Sequence, residues 1–301
     1  MSYASPVAID LSRLPPPDAI STLDHPTLLA EFVARFIAYW GELRLTRPDL
    51  PVFTAQSLVT DPAIVIGRVT AFLRLNDRIA VNDAVRAVLA PLARKADLDN
   101  VVARQGVVRL ETAPGVPETD EQLFHRYLLS FGRASAGSID RILFDAWTAW
   151  PAMWDARVNG FAVHGRRGEV DLVISGPGGV TPAGQLAIVR NAVTAPSSKP
   201  EAIGMFVLAA APLAYSVDQV IKVPVGPDAE LVRQEAVARV AAATDGRHLI
   251  GGTIQRDLVA GASYGASIAA VDHNTPEADV VATPYQIPVR TGLAITVEVM
   301  G

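Results

Sequence analysis

Apolar residues recur at three- and four-residue spacing in two stretches near the start of the chain. Leu28, Leu29, Phe32, Val33, Phe36, Ile37 and Trp40 form one stripe, and that period predicts an amphipathic helix. Asp24 is placed to cap it, and Pro26 is tolerated in its first turn because the N–H it lacks has no partner there. Pro48 and Pro51 break the segment that follows. A longer helical pattern begins after Asp61-Pro62, with Val65, Val69, Phe72 and Ile79 on one side, then Val85, Val88, Leu89 and Leu92. Pro91 limits or kinks that helix. Ahead of both, residues 1–22 read as extended, and Leu14-Pro-Pro-Pro-Asp18 reads as a stiff polyproline arm.

The rhythm changes after residue 111. Residues 112–117 (Thr-Ala-Pro-Gly-Val-Pro) read as a linker. Thr119 starts a helix to about 131, and Ser138 starts another through Ile142, Leu143 and Trp147. Strands over 157–164 and 169–175 are joined by Gly165-Arg-Arg-Gly168. The loop Gly176-Pro-Gly-Gly179 leads to a helix capped by Thr181, with Pro182 at its first position, running to about 192. Further on, strands near 204–210 and 213–225 precede a helix over 228–242, where Glu235 and Arg239 form a favourable pair. A short helix near 253–259 and strands near 267–272 and 293–299 complete a β-β-α-α-β-β order. The expected fold is α+β and multidomain: an N-terminal arm and helical region (1–111), a middle α/β domain (112–196), and a C-terminal α+β sandwich (197–301) with helices on one face.

Composition narrows the function. The chain has 301 residues, 50% hydrophobic and only 19% charged, with 22 Pro, 22 Gly and no Cys. Half-apolar content excludes intrinsic disorder, and the missing cysteine excludes disulfides, thiolate metal sites and a thiol nucleophile. A net charge of −5 offers no general attraction to nucleic acid. The longest apolar stretch, 204–217, is too short to span a bilayer and contains Pro212, and the first residues lack a basic, then apolar, leader. No membrane insertion is expected, and a cytoplasmic site of synthesis and assembly follows. A surface so poor in charge suggests that apolar area is hidden against partners.

Catalytic patterns are few in this sequence. Gly261-Ala-Ser-Tyr-Gly265 matches the G-x-S-x-G nucleophile elbow, but a helical pattern precedes it and a strand follows, the reverse of the elbow's context. Asp272 and His273 stand too close in sequence to complete the usual triad order. A turn is the better reading, with a serine esterase using Ser263 as the alternative. His25, His125, His164, His248 and His273 are scattered without ligand spacing, so no metal is expected. Gly176-Pro-Gly-Gly179 lacks the continuation of a phosphate loop. Glu118, Asp120 and Glu121 complement a helix dipole, and Arg166 with Arg167 sits at a hairpin tip. No catalytic residue, metal or cofactor is assigned.

Residues 77–109, from Asp77-Arg-Ile-Ala-Val-Asn-Asp-Ala through Asp97-Leu-Asp99 to Gly106-Val-Val-Arg109, resemble the baseplate J-like family. These are baseplate wedge proteins of contractile-tailed bacteriophages and of phage-tail-like bacteriocins (tailocins). Colinear support comes from Ile9-Asp-Leu-Ser-Arg-Leu-Pro-Pro-Pro-Asp18, from 118–126 followed by Ser135-Ala-Gly-Ser138, and from Lys199-Pro200. The resemblance implies a structural subunit that pairs with a second copy of itself and a smaller related wedge subunit. Six such wedges would ring a central hub or spike, meet the sheath-initiator subunit and reorganise on contraction. Its place would be the virion baseplate, assembled in the host bacterial cytoplasm. By the same analogy the N-terminal helices enter an intersubunit bundle, the middle domain a three-way junction, and the C-terminal domain a dimerisation contact. The expected interface residues are Val65, Val69, Phe72, Ile79, Phe32 and Phe36, and Asp97, Asp99 and Gly137 are expected structural turn positions. Two departures stand out: Lys95 replaces an expected glycine, and His125 an expected arginine or other polar residue.

Overall fold

Asp24 has extended backbone, and its carboxylate accepts the Thr27 N–H at 2.7 Å, which starts α1 (His25–Thr46) where the sequence places it. The computed structural model describes residues 17–54, 59–226 and 228–300. Most of the expected extended arm therefore lies outside the described residues. The chain divides into two compact units, one spanning residues 9–106 and the other residues 107–301.

In the first unit, the segment after α1 folds back on it. The Trp40 indole N–H donates to Pro51 O at 2.9 Å, and Phe53 meets Phe36 edge-on at 4.9 Å. α2 (Pro62–Val88) is capped by Asp61, which accepts the Ala63 N–H at 2.8 Å. It stops before Leu89, so Pro91 ends the helix rather than kinking it. α1 and α2 approach closely at Gly67, where an added Cβ would lie 2.6 Å from Phe32 Cδ1. Ile64 and Ala71 are buried on the same face. Residues 19–21 are tied to α2 by Arg78, which donates to Ala19 O, and by Asn82, whose side chain bonds both Ser21 backbone groups.

α3 (Ala96–Ala103) buries Leu98, Val101 and Val102. Asp97 and Asp99 occupy its first turn, where acids complement the helix dipole. Lys95, just before it, has φ +53° and ψ −126°, the one positive φ outside glycine among the described residues. An L side chain is strained there. Lys95→Gly is expected to stabilise the chain by ~1 kcal/mol, the relief of strain exceeding the extra entropy glycine gives the unfolded chain. The urea midpoint, at unchanged slope, is the check.

The second unit opens with a correction. The expected linker is a small hairpin, β1 (Glu111–Ala113) and β2 (Val116–Pro117), turned by Gly115 at φ +75°. α4 (Asp120–Ser130) starts with a reciprocal capping box between Thr119 and Gln122, and α5 (Ile139–Ala149) is capped by Ser138. Gly137, at φ +79°, precedes that cap, and a Cβ on it would lie 2.6 Å from Pro200 Cγ.

The expected strand over 157–164 is shorter and starts earlier: β3 covers Asp155–Asn159, and α6 (Phe161–His164) is a single helical turn closed by left-handed Gly165. Past Asn159 the backbone turns its hydrogen bonds inward: the Val163 N–H returns to Gly160 O at 2.9 Å and the Gly165 N–H to Phe161 O at 2.7 Å. β4 (Glu169–Ser175) is a central strand, five of its residues buried in succession. Thr181 does not cap α7 (Ala183–Val193); its hydroxyl donates to Ile174 O at 3.1 Å, and Pro182 holds the cap position. β5 (Gly204–Ala209) joins β4 in parallel, giving the order β3-β4-β5, so this sheet draws strands from both sides of residue 196. α5 and α7 pack together beside it.

β6 (Ala211–Pro224), α8 (Ala229–Asp245), β7 (Thr253–Ile254), α9 (Arg256–Ser263), β8 (Ala270–Thr275), β9 (Val280–Val281) and β10 (Gln286–Met300) follow. The expected helix over 253–259 begins later, because Thr253 and Ile254 pair with β9 and the first-turn N–H of Arg256 is accepted by distant Asp279 at 2.9 Å. The larger sheet runs β10-β6-β8, β6 parallel to β10 and antiparallel to β8. One face packs on α8 and α9 through Val217, Ile221, Val240, Val259 and Ile295. That is the α+β layering expected of the C-terminal region. The two edges differ. β8 has 6 residues and carries Asp272 and Asn274, whereas β10 has 15 and a single charge, Glu298, after Leu293.

Candidate assembly surface

α2 turns one face to α1 and leaves the other uncovered. Val65, Val69, Phe72 and Ile79 lie on that outer face and are between 45% and 55% exposed, flanked by exposed Ile66 and Leu73. Their spacing, with exposed Asn76 between Phe72 and Ile79, is the alternation of four and three that defines a coiled-coil seam. Val69 and Asn76 fall at a positions; Val65, Phe72 and Ile79 fall at d. Phe32 and Phe36 are placed differently. Phe32 covers Gly67, and Phe36 stacks between Phe32 and Trp40 and against Phe53, within the chain's own helix pair. Asn76 gives no signal in an apolar repeat because it is the polar residue within one.

Ser263 closes α9 fully buried, and its hydroxyl donates to Gln219 Oε1. Gln219 Nε2 donates to Val259 O at 3.2 Å and lies 2.7 Å from His273 Nδ1. His273 Nε2 faces Pro276 O at 2.9 Å; a carbonyl only accepts, so the proton sits on Nε2 and Nδ1 accepts from the glutamine. The serine hydroxyl is thus hydrogen-bonded to an amide oxygen in the core rather than to an imidazole.

A buried ion pair that sequence spacing does not reveal links the hairpin to α4. Glu118 and Arg126 are each 2% exposed and bonded two-fold at 2.7 Å. Glu118 also accepts the Leu110 N–H at 2.9 Å, and Arg126 donates to Val108 O at 2.5 Å. Arg109 pairs with Asp120 at 2.8 Å alongside. Glu118 therefore holds a fold element together rather than complementing a dipole.

A cleft of about 460 Å³ lies between α4, α5, β3 and the loop 249–252; Trp147, Trp154, His125 and Asp155 are among its walls. His125 meets Trp147 edge-on at 5.3 Å, and burial lowers its pKa. Burial pushes the Asp155 carboxyl up to about 6. Among the described residues no cluster of three or more metal-ligating side chains occurs, and no helix is long and apolar enough to cross a membrane.

The outer face of α2 lies within the part of the chain that carries a family signature. Residues 60–115 match the profile of the Baseplate J-like N-terminal domain, which takes in α2, α3 and the start of the hairpin. The resemblance is to the baseplate J-like family, and it extends beyond that segment. The chain is 27% identical over 292 residues to "Baseplate protein J" of Escherichia phage P2, covering 92% of this chain and 94% of that one.

Proposed function

We propose that the chain is a structural, non-enzymatic subunit of a phage-tail baseplate, located in the wedge of a contractile tail or a tailocin. The observation that carries this reading is the uncovered seam on α2 inside the family-matching segment. A helix that exposes valine, phenylalanine and isoleucine in one row is stable in water only at a cost, and burial against another helix removes it. The lone Asn76 fits the same reading, since one polar residue at an a position selects register and partner number in helix pairs. Full-length similarity to a protein named for the baseplate supports the setting.

In detail, the chain joins a second copy and a smaller related wedge subunit, contacts the sheath initiator and the central hub or spike, and travels in the virion after assembly in host cytoplasm. Co-expression with the smaller wedge gene product tests this. Native mass spectrometry should then show two copies of this chain to one of the partner. A monodisperse monomer that ignores the partner would overturn the proposal.

A further inference from the structure

The cleft beside β3 holds a carboxylate, Asp155, that accepts the backbone N–H groups of Ile250 and Ala156. Asp155 Oδ2 accepts the Ile250 N–H at 2.6 Å. Two residues along the same face of β3, Arg157 Nη1 donates to Ile250 O at 3.1 Å and its Nε to Asn159 Oδ1 at 3.1 Å. Together they grip one residue of the loop 249–252, Ile250, by both its backbone polar groups. Gly251 makes room for this grip, because a Cβ there would lie 2.2 Å from Arg157 Nη1. An asparagine at 155 would accept the same N–H without bringing a charge out of water. Arg157 donates to the Ile250 carbonyl and the Asn159 amide oxygen; its charge attracts the Asp155 carboxylate, to which it makes no direct hydrogen bond. What aspartate adds over asparagine is attraction for cations, Arg157 among them.

A further cation suits the aromatic walls of the cleft. Trp147 and Trp154 wall it, and the Trp154 ring is anchored by its N–H to His248 O at 2.8 Å while remaining 46% exposed. Indole rings attract cations, and a guanidinium, planar and weakly hydrated, fits between aromatic surfaces better than an ammonium does. At about 460 Å³ the space exceeds a single side chain and admits the segment that presents it. We infer that this cleft receives an arginine side chain from a neighbouring protein, its guanidinium pairing with Asp155 between Trp147 and Trp154. The neighbour's being a protein rests on the reading of the chain as an assembly subunit.

The test is an NMR titration of the full chain with N-acetyl-arginine methylamide, with the lysine and citrulline analogues in parallel. The Trp154 indole N–H and the Gly251 and Gly252 amides should shift with arginine. Citrulline, equal in shape and neutral, should bind at least ~10-fold more weakly, and lysine more weakly than arginine. Asp155→Asn should weaken arginine binding by ~10-fold or more. Because Asp155 titrates at about 6, lowering the pH from 7.5 to 5 should weaken binding roughly 10-fold in the native chain. His125 and Arg157 are the other charged or titratable groups facing the cleft. Arg157 stays charged throughout, and any slope left in Asp155→Asn belongs to His125.

A second readout separates recognition from mere support. A carboxyl raised above its unfolded value stabilises the fold below about pH 3.8 and loses that contribution as pH rises through about 6. Asp155→Asn should therefore melt at or above the native temperature at pH 7.5; a lower melting temperature would make Asp155 only a loop clamp. Equal binding of arginine and citrulline, equal binding of lysine, or no effect of Asp155→Asn would each overturn the inference. A silent cleft in a chain that still assembles would sink this inference alone. Arginine binding by a chain that never assembles would instead leave the cleft and remove the assembly reading.

Discussion

Arg126→Met will remove ~3–5 kcal/mol of folding stability, because it leaves the Glu118 carboxylate buried without its cation. The loss has two parts. One is the uncompensated charge; the other is the Val108 carbonyl, left without the guanidinium that serves it. Adding Glu118→Gln should restore more than half of the loss, since a neutral amide at 118 still accepts the Leu110 N–H. Urea unfolding of the native chain, both single variants and the double variant forms a cycle that reads the coupling directly. A loss below ~1 kcal/mol for Arg126→Met would show that water or a shifted side chain takes over, and the pair would not be a structural node.

Val69→Asp will leave the isolated chain folded and abolish its assembly. Val69 is 55% exposed in the single chain, so a carboxylate there meets solvent. Buried in a helix seam, the same carboxylate costs ~3–5 kcal/mol, and at ~1.4 kcal/mol per tenfold that is at least ~100-fold in affinity. Arg74→Asp is the matched control: it lies on the same exposed helix at the outermost position of the repeat. Sedimentation of both variants with the proposed smaller wedge subunit decides. Normal assembly of Val69→Asp would show that the seam is not an interface.

The parts of this structure that were legible in the sequence are those decided by one residue. Asp24, Asp61, Thr119, Ser138 and Asp228 each start a helix by accepting a nearby N–H, and each is visible as a short polar residue before an apolar run. Where the decisive partner is remote, local pattern is silent or misleading. Asp279 supplies the start of α9 from beyond the next strand, and Thr181 spends its hydroxyl on β4 instead of the helix after it. The parallel seat of β5 beside β4 is likewise a long-range choice. The α2 stripe was readable from its period, whereas Phe32 and Phe36 differ from it only through Gly67 and Phe53. The pairing of Glu118 with Arg126 and of Asp155 with the Ile250 peptide carries no spacing signal, since loops bring the partners together.

The unequal edges of the β10-β6-β8 sheet have a consequence for how the protein must be handled by a cell. Among the described residues no strand pairs with the outer border of β10, and a long border with little charge templates the growth of further strands, whichever chain supplies them. Natural sheets blunt such borders with charge, proline or brevity; β8 has two of these, and the last eight residues of β10 have only Glu298. The hazard rises with the concentration of unescorted copies, since strand addition between like chains scales with their encounters. A substitution that places a second charge on that border is then a change that favours solubility of the isolated chain.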